Sequence, residues 1–199
     1  MIQLPKFTFL NGPAGSGKST LASLLLAQDP DLCLLAFADP IRMALTATFY
    51  QDYLYTPNSL NLKDSVTKAS LIPGTPCSHR TWMIEFGKFM HATCGASIFG
   101  ELAWRMTYDS NVAYPRFLVD GLRTEGDIKP FLREEKTRDL CIIRLHREGK
   151  DWGGDLGAYV DPIGVPFVTI NNDSTPEFML NRLKVVLGVS NARADHFPF

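Results

Sequence analysis

The sequence predicts an α/β fold in which helices cover both faces of a five-stranded, mainly parallel sheet. Segments of strand length alternate with segments of helical periodicity, which is the pattern of right-handed βαβ units. Some strand segments are continuous apolar runs, such as Leu32–Phe37, and such runs are typical of parallel strands covered on both faces. The predicted strands lie near residues 5–10, 32–37, 116–119, 140–145 and 167–170.

Helical periodicity and capping patterns place the helices between these strands. The last helix is predicted to begin at Thr175-Pro176-Glu177, where a capping residue precedes a proline and an acid. Gly188 is predicted to end it, because glycine favours the position after a helix. The other predicted helices are Lys18–Gln28, Ile41–Tyr50, Thr81–Cys94, Ala96–Tyr108 and Thr124–Glu135.

The bulk composition predicts one globular domain. The chain has 199 residues, of which 45% are hydrophobic and 21% are charged. Its formal net charge is -1, whereas proteins that grip long nucleic acid usually have a basic excess. A nucleic-acid partner is therefore disfavoured, although a local basic patch is compatible with a neutral total. No apolar run approaches the roughly 18 residues that span a bilayer, and the N-terminus lacks a signal-peptide pattern. We expect a soluble, cytoplasmic protein without a membrane partner.

The most specific motif is Gly12–Ser19, which reads GPAGSGKS and satisfies G-x-x-x-x-G-K-[ST] in full. It follows a predicted strand and opens a predicted helix. The glycines let successive backbone N–H groups wrap a phosphate chain, and the helix directs its dipole to the same place. A glycine-rich turn that binds nothing is the alternative, but it does not explain why motif, strand and helix coincide. The sequence therefore predicts a phosphate-binding loop (P-loop) for a nucleoside triphosphate.

Each position of this loop has a predicted role in holding ATP and Mg²⁺. Lys18 is expected to reach the β- and γ-phosphates, and the hydroxyl of Ser19 is expected to ligate Mg²⁺. Thr20 carries a neighbouring hydroxyl and is a weaker candidate for nucleotide binding. The remaining nucleotide-binding positions predicted in the loop are Gly12, Ala14, Gly15, Ser16 and Gly17.

Two aspartates follow predicted strands and compete for the metal. Asp120 ends the apolar run of a Walker B strand and is predicted to hold the Mg²⁺ shell through water; the alternative is that it caps the turn before Gly121. Ligands collect at the carboxyl ends of parallel strands, which favours the metal role. Asp39 follows the second strand and could bind Mg²⁺, orient the acceptor or cap the helix that begins at Pro40. These alternatives stay open for Asp39.

Arginines near strand ends and loops are candidates for binding the transferred phosphoryl group. Such a site needs cations that follow the charge as it moves, and a planar guanidinium can bind two phosphate oxygens. For each arginine alone, a solvated surface charge is the competing interpretation. The candidates are Arg42, Arg80, Arg123, Arg144 and Arg147, with Lys63, Lys68 and Lys150 as weaker ones.

Two segments have the composition of substrate-covering loops. Residues 52–78 hold three prolines, Pro57, Pro73 and Pro76, and few periodic apolar residues, which predicts an insertion with at most short helical pieces. Residues 146–166 contain five glycines and two prolines and predict a loop or lid.

Taken in order, these motifs resemble the phage deoxynucleoside monophosphate kinases, a branch of the P-loop nucleoside monophosphate kinases. One departure lies around Gly87, where the family usually carries a glutamine and a threonine and this chain has Ile84 and Lys88. The choice of acceptor base is therefore not carried over from the family. The matching pieces, over about residues 5–187, are GPAGSGKST, FADPIR, Lys63-Asp64 with Arg80 and the helix containing Gly87 and Trp104, VDGLRTEGD, and INNDS with the final helix.

The resemblance implies a P-loop kinase three-layer sandwich with ATP and Mg²⁺ as cofactors and the reaction ATP + deoxynucleoside monophosphate → ADP + deoxynucleoside diphosphate. It implies one domain, 1–199, in which an acceptor-binding insertion at 52–95 and the lid at 146–166 close over the substrates. Asn171 and Asn172 are implied to lie near the adenine. The implied catalytic residues are Lys18, Asp39, Arg123, Arg144 and Arg147, and the implied acceptor-binding residues are Asp39, Arg42, Lys63, Arg80, Gly87, Asp120 and Arg123.

Two other functions stay open on the sequence. One is a P-loop kinase for a hydroxyl acceptor, such as a modified nucleoside, a hydroxymethylated base in DNA or a metabolite, with Asp39 as general base. The other is a non-catalytic ATP-binding regulator, which the set of arginines disfavours. The expected partner is a small nucleotide substrate, and formation of a homodimer is left open. The expected compartment is the cytoplasm, that of the host if the protein is phage-encoded.

Overall fold

A computed structural model gives the architecture, and the structure describes residues 4–50, 62, 65–109, 116–152 and 157–194. The described residues contain a single five-stranded sheet in the order β2-β3-β1-β4-β5, in which every neighbouring pair is parallel. The predicted α/β fold is confirmed, and the sheet is wholly rather than mainly parallel. The strands are β1 (Phe7–Asn11), β2 (Leu32–Ala36), β3 (Arg116–Leu122), β4 (Leu140–His146) and β5 (Phe167–Asn171).

The strand order decides which chain segments meet at the carboxyl edge of the sheet. β1 lies between β3 and β4, so Leu10 pairs with Asp120 on one side and with Ile143 on the other. The loop that follows β1 is therefore flanked by the ends of two further strands. In open parallel sheets this edge is the place where ligands bind.

Seven α-helices connect or flank the strands in the described residues, and a short 3₁₀ helix, Thr137–Asp139, precedes β4. Their bounds agree with the sequence predictions to within about two residues, with one exception discussed below. No helix in the described ranges is long and apolar enough to cross a membrane. The helices are α1 (Lys18–Gln28), α2 (Asp39–Phe49), α3 (Ser65–Ala69), α4 (His79–Cys94), α5 (Ile98–Asp109), α6 (Glu125–Glu134) and α7 (Pro176–Ala194).

The end of α7 corrects the sequence prediction. Gly188 was expected to terminate the helix, but α7 continues through it to Ala194. A glycine in a helix interior costs only about 1 kcal/mol relative to alanine. The residues that follow, Val189–Ala194, include no proline that would force a stop. Glycine alone is therefore a weak terminator when the chain after it can continue the helix.

The core has two halves because successive strand residues point to opposite faces of the sheet. Leu10 belongs to the half that includes Leu21 of α1 and Leu183 of α7. Phe9 belongs to the other half, where its ring meets that of Phe131 of α6 edge to face at a centroid distance of 5.0 Å. The sheet is thus enclosed between two layers of helices, which is the predicted three-layer sandwich.

The described part of the predicted insertion consists of α3, a turn and α4. An isolated bridge joins Leu71 to Ser78, and the Ser78 hydroxyl caps α4 by accepting the Thr81 N–H at 3.1 Å. A small cluster containing Leu45 of α2 and Ile72 joins this part to the main domain. Residues 51–61, 63 and 64 lie outside the described residues, so the insertion and lid boundaries stay a prediction.

Thr8 in β1 gives a stability test of this core. Its side chain is fully buried, and its hydroxyl has no hydrogen-bond partner among the described residues. A buried hydroxyl without a partner costs roughly 1–3 kcal/mol. We expect Thr8→Val, which keeps the shape and removes the hydroxyl, to raise the free energy of unfolding by about 1 kcal/mol. Urea denaturation measures this change, and a loss of stability would show that the hydroxyl has a stabilising partner.

Candidate active site

Residues 12–17 form the loop between β1 and α1, and close approaches require two of its glycines. Gly17 has a φ of +101°, and a Cβ atom there would collide with the side-chain amide of Asn172. A Cβ atom at Gly12 would lie 2.5 Å from the carbonyl oxygen of Leu145 in β4. The backbone alone therefore passes between these neighbours, as a phosphate cradle requires.

The start of α1 concentrates positive charge on this loop. Lys18 donates from Nζ to the carbonyl oxygens of Gly12 at 2.6 Å and Pro13 at 2.8 Å. The N-cap residue is Gly17, so no side chain caps the first turn, and the positive end of the helix dipole faces the loop. Ser16 is fully buried, and its hydroxyl has no partner among the described residues. A phosphate chain would meet donors on several sides here.

These features fit ATP and Mg²⁺. Ala14 and Gly15 form the exposed tip of the loop, and Ser19 and Thr20 are exposed in the first turn of α1. The described ranges contain no cluster of three or more His, Cys, Asp or Glu side chains that could hold a metal by themselves. Mg²⁺ needs no such cage beside a nucleotide, because phosphates and water supply most of its ligands. Ser19 and Asp120 are the residues that would hold it.

Asn172 holds the loop by a hydrogen bond to its backbone. It is buried, and its Nδ2 donates to the carbonyl oxygen of Ser16 at 2.8 Å. Its backbone N–H donates to the carbonyl oxygen of His146 at 2.7 Å, which fixes the turn after β5 against the end of β4. Asn171 is exposed at the end of β5. The expectation that both asparagines lie near an adenine stays a prediction, and Asn172 has a structural task in addition.

Asp120 lies at the carboxyl edge beside β1, as predicted for a Walker B acid. A β-bulge follows it: Leu10 pairs with Asp120, but the next residue, Asn11, pairs with Leu122. Gly121 is the extra residue and has a φ of +88°. Bulges next to functional sites change the direction of neighbouring side chains. The metal role of Asp120 stays a prediction.

Asp39 is held at the junction of β2 and α2. Its Oδ2 accepts the backbone N–H of Ala36 at 2.8 Å, and its Oδ1 accepts from Nη1 of Arg42 at 2.5 Å. Asp39 is the first residue of α2 and the N-cap is Ala38, so the capping alternative is wrong. The half-buried pair instead directs Arg42 toward the edge of the sheet.

A group of positive side chains gathers around Lys68 of α3. Lys68 is half-buried, and burial is the main cause that lowers its pKa below the ordinary value. The positive charges of Arg42, Arg80 and Arg123 lower the pKa of Lys68 further, whereas the charge of Asp120 raises it. We call Arg42, Lys68, Arg80 and Arg123 the acceptor-side cations. They lie in α2, α3, α4 and the turn after β3, and the charges of the three arginines act on the ammonium of Lys68.

Arg123 is positioned through its backbone by Asp127. The Oδ2 atom of Asp127 accepts the N–H groups of Arg123 at 3.1 Å and Thr124 at 3.0 Å. Asp127 is buried, which raises the pKa of its carboxyl, while the two N–H donors act in the opposite direction. The carboxyl therefore fixes the turn that carries Arg123 from β3 into α6.

The first residues of the predicted lid lie against the phosphate loop. Nη1 of Arg147 donates to the carbonyl oxygen of Gly15 at 3.4 Å. The side chain of Lys150 also runs over Gly15, because its Cε would be 3.4 Å from a Cβ atom added there. The backbone of this segment is tied to the end of β5, where Glu148 N–H donates to Asp173 Oδ1 at 2.9 Å. Arg147 therefore has the placement expected of a lid arginine.

Arg144 is placed differently from Arg147. Its Nη2 donates to the carbonyl oxygen of Val160 at 2.6 Å and pairs with Asp161 at 3.1 Å. Its guanidinium stacks on the Phe167 ring, with 3.8 Å between Cζ and the ring centroid. These contacts hold the second half of the lid on the sheet. The catalytic role of Arg144 stays a prediction, and the structure gives it a packing role.

The remaining predicted site residues fall on α4 or outside the described residues. Arg80 is exposed in the first turn of α4 among the acceptor-side cations. Gly87 is buried, and a Cβ atom there would make an ordinary contact of 3.5 Å with Cδ1 of Ile41 in α2. Ile84 and Lys88 are exposed and lie four residues apart along α4. Lys63 lies outside the described residues.

Three residues of the site were undervalued or missed in the sequence. Lys68 was ranked low because it lies in the proline-rich insertion. Asp127 carried a signal, since Thr124 and Asp127 have the [ST]-x-x-[DE] spacing of a capping box. Asn11 carried no signal beyond being a polar residue at the end of an apolar strand, yet it is fully buried beside the loop.

Comparisons with known proteins give structural similarities at low sequence identity. No protein-family model matches the chain. No curated protein matches it either. A sugar kinase from a Janibacter species is similar in structure at 15% identity, with 94% of this chain and 97% of that chain covered and a TM-score of 0.41. A gluconokinase from Sinorhizobium meliloti is similar at 14% identity, with coverages of 98% and 99% and a TM-score of 0.46. The resemblance to phage deoxynucleoside monophosphate kinases stays a prediction.

Gly17 provides a test of the loop with a matched control. Gly17→Ala adds a methyl group that collides with Asn172, and we expect it to weaken ATP binding at least about tenfold. Gly74 also has a positive φ, +77°, but a Cβ atom there meets nothing within 4 Å. Gly74→Ala therefore carries similar backbone strain without the collision. Titration calorimetry with ATP and Mg²⁺ should separate the two variants; equal affinities would contradict this account of the loop.

Proposed function

We propose that the protein is an ATP-dependent phosphotransferase that acts on a small, negatively charged acceptor. The observation that carries the proposal is the presence of two cationic regions at one edge of the sheet. One is the loop of residues 12–17 with Lys18, and the other is the set of acceptor-side cations around Lys68. A donor and an acceptor that both carry negative charge each need such a region.

On the donor side, the loop backbone and the first turn of α1 would bind the β- and γ-phosphates. Lys18 would move its ammonium from the carbonyls of Gly12 and Pro13 to the phosphate oxygens. Arg147 and Lys150 already lie over Gly15, where they would neutralise charge on the transferred group. Mg²⁺ held by Ser19 and Asp120 would supply further charge neutralisation when bound.

On the acceptor side, the charges favour an anion. Arg42, Lys68, Arg80 and Arg123 carry four positive charges, and the neighbouring Asp39 and Asp120 carry two negative charges, which leaves an excess of two. A phosphate monoester dianion matches this excess. Burial is the main cause of the lowered pKa of Lys68, and the like charges of the neighbouring arginines lower it further. An anion bound among these groups would relieve their repulsion.

A nucleoside monophosphate, as the sequence resemblance implies, is our first candidate acceptor. A phosphate oxygen of the acceptor would form a bond to the γ-phosphorus while the bond from that phosphorus to the β–γ bridging oxygen breaks, and ADP keeps the electron pair. No proton has to be removed from an ionised phosphate. The site therefore needs positioning and charge stabilisation rather than a general base.

A hydroxyl acceptor is the second candidate, and it agrees with the names of the two similar solved structures, a sugar kinase and a gluconokinase. A hydroxyl proton must go to a base, and Asp39 is the carboxylate placed for it at the end of β2. Both Asp39 oxygens already accept a hydrogen bond, from Ala36 and from Arg42, although each keeps a further lone pair. A compound with both a hydroxyl and an ionised acid group would suit this site, since the hydroxyl could donate to Asp39 and the acid group could bind the excess positive charge.

One assay tests the proposal and separates the candidates. The protein is incubated with γ-labelled ATP, Mg²⁺ and a panel of deoxynucleoside monophosphates, ribonucleoside monophosphates, nucleosides, sugars, sugar acids and duplex DNA. We expect label in a small anionic acceptor, and loss of transfer in Lys18→Ala with an unchanged melting temperature. Transfer at the normal rate by Lys18→Ala, or no transfer to any acceptor by the wild-type protein, would contradict the proposal.

Lys68 gives a second test through pH. Its ammonium is charged below its pKa, and that pKa is lowered, so acceptor affinity should fall as pH rises through a range below that of an ordinary lysine. Lys68→Met should raise the acceptor KM about tenfold or more, as expected for loss of a charged hydrogen bond, and leave the KM for ATP unchanged. Lys68→Arg should keep the affinity for the acceptor, and the fall of that affinity with rising pH should occur at a higher pH.

The matched control for this test is Lys6→Met. Lys6 is exposed, pairs with Glu135 and immediately precedes β1, so it lies at the edge of the sheet opposite to the phosphate loop. We expect unchanged KM values for both substrates in this variant. An equal effect of both lysine substitutions on the acceptor KM would show that general electrostatic attraction, rather than a site at Lys68, is being measured.

A further inference from the structure

Asn11, the last residue of β1, uses its whole side-chain amide to hold the lid against the sheet. Its Nδ2 donates to the carbonyl oxygens of Leu122 at 2.8 Å and Ala158 at 3.0 Å. Its Oδ1 accepts the backbone N–H of Val160 at 3.2 Å. The side chain is fully buried, so water cannot replace any of these bonds. Two of these bonds are made with residues 157–161, which we call the strap.

The arrangement requires an amide. Both hydrogens of Nδ2 are used, and the oxygen is used as an acceptor, so neither a carboxylate nor a hydroxyl can replace it. An aspartate at this position would direct a charged oxygen at two carbonyl oxygens in a buried place. The bulge at Gly121 contributes, because it brings Leu122 rather than Gly121 opposite Asn11. The strand register and the amide therefore depend on each other.

The strap also connects the donor and acceptor sides of the site. Asn11 immediately precedes Gly12, the first residue of the phosphate loop. The N–H of Ala158 donates to the carbonyl oxygen of Arg123 at 3.0 Å, and Arg123 is one of the acceptor-side cations. A chain of hydrogen bonds thus runs from the start of the phosphate loop through Ala158 to the backbone of Arg123.

We infer that Asn11 is a positioning residue for phosphoryl transfer: through the strap it fixes the phosphate loop relative to Arg123. This inference rests on the proposed function. Asn11 is fully buried and its side-chain amide is bonded to the protein, so it would act by keeping the reacting groups in register. Displacement of a reacting group by about 1 Å can cost a hundredfold in rate. Its loss should therefore lower kcat and spare the affinity for ATP, since the loop is separately supported by Asn172.

The test compares Asn11 and Asn172, two buried asparagines beside the phosphate loop. The control is Thr8, which lies in β1 as Asn11 does. Asn11→Asp should lower kcat per folded molecule by about tenfold or more and leave the Kd for ATP within about twofold. Asn172→Asp should instead weaken ATP binding, because Asn172 holds the Ser16 carbonyl. Thr8→Val should change neither constant. If Asn11→Asp weakens ATP binding as much as Asn172→Asp does, or keeps the wild-type kcat, the inference is overturned.

Hydrogen exchange tests the inference without any catalytic activity, and its first readout needs only the wild-type protein. In the wild-type protein, the amides of Ala158 and Val160 should be protected, and a non-hydrolysable ATP analogue with Mg²⁺ should slow their exchange further. In Asn11→Asp that response to the analogue should disappear. Rapid exchange of both amides in the wild-type protein, or exchange that does not respond to the analogue, overturns the inference. These readings are independent of whether any acceptor is phosphorylated, so the proposed function can fail separately.

Discussion

The close approach of the phosphate loop to its neighbours is the constraint on which the rest of the site depends. The loop must present backbone N–H groups to one side, so other parts of the chain must hold it from the opposite side. Leu145 and Asn172 do this so closely that neither Gly12 nor Gly17 could carry a side chain. This support is possible only because β1 lies between β3 and β4 and because β5 places Asn172 beneath Ser16. The strand order and the glycine pattern are therefore two consequences of one requirement.

Local concentration of charge explains how a nearly neutral chain can offer two anion sites. The whole protein has a formal charge of -1, yet the residues around Lys68 carry an excess of positive charge, which adds to burial in lowering the pKa of Lys68. Such crowding costs stability in the unliganded protein, and a bound anion would offset the cost. The ion pair between Asp39 and Arg42 limits this crowding. Separately, the buried carboxyl of Asp127 accepts the backbone N–H of Arg123 and so fixes the backbone there. The cations are thus positioned before the acceptor arrives.

The fold was predictable from the sequence because its signals are local. Segments of strand length between helical patterns located all five strands, and a single motif located the phosphate loop. The residues that complete the site depend on interactions between parts of the chain that are distant in sequence: the charge of Arg123 acts on Lys68, and Asn11 accepts the Val160 N–H. No periodicity or spacing encodes such contacts. Arg144 and Arg147 show the same limit, since both lie at the end of β4, yet one packs on Phe167 and the other reaches Gly15.

The proton requirement of the reaction is what connects this geometry to the choice of acceptor. An ionised phosphate needs cations and no base, whereas a hydroxyl needs a base that is close enough and sufficiently unoccupied. Asp39 lies beside the acceptor-side cations, but it also orients Arg42 and closes the turn after β2 through Ala36. To serve as a base it would have to weaken contacts that organise the acceptor side. An acceptor that is already an anion asks for no such change, and the excess of positive charge around Lys68 then assists both its binding and the transfer.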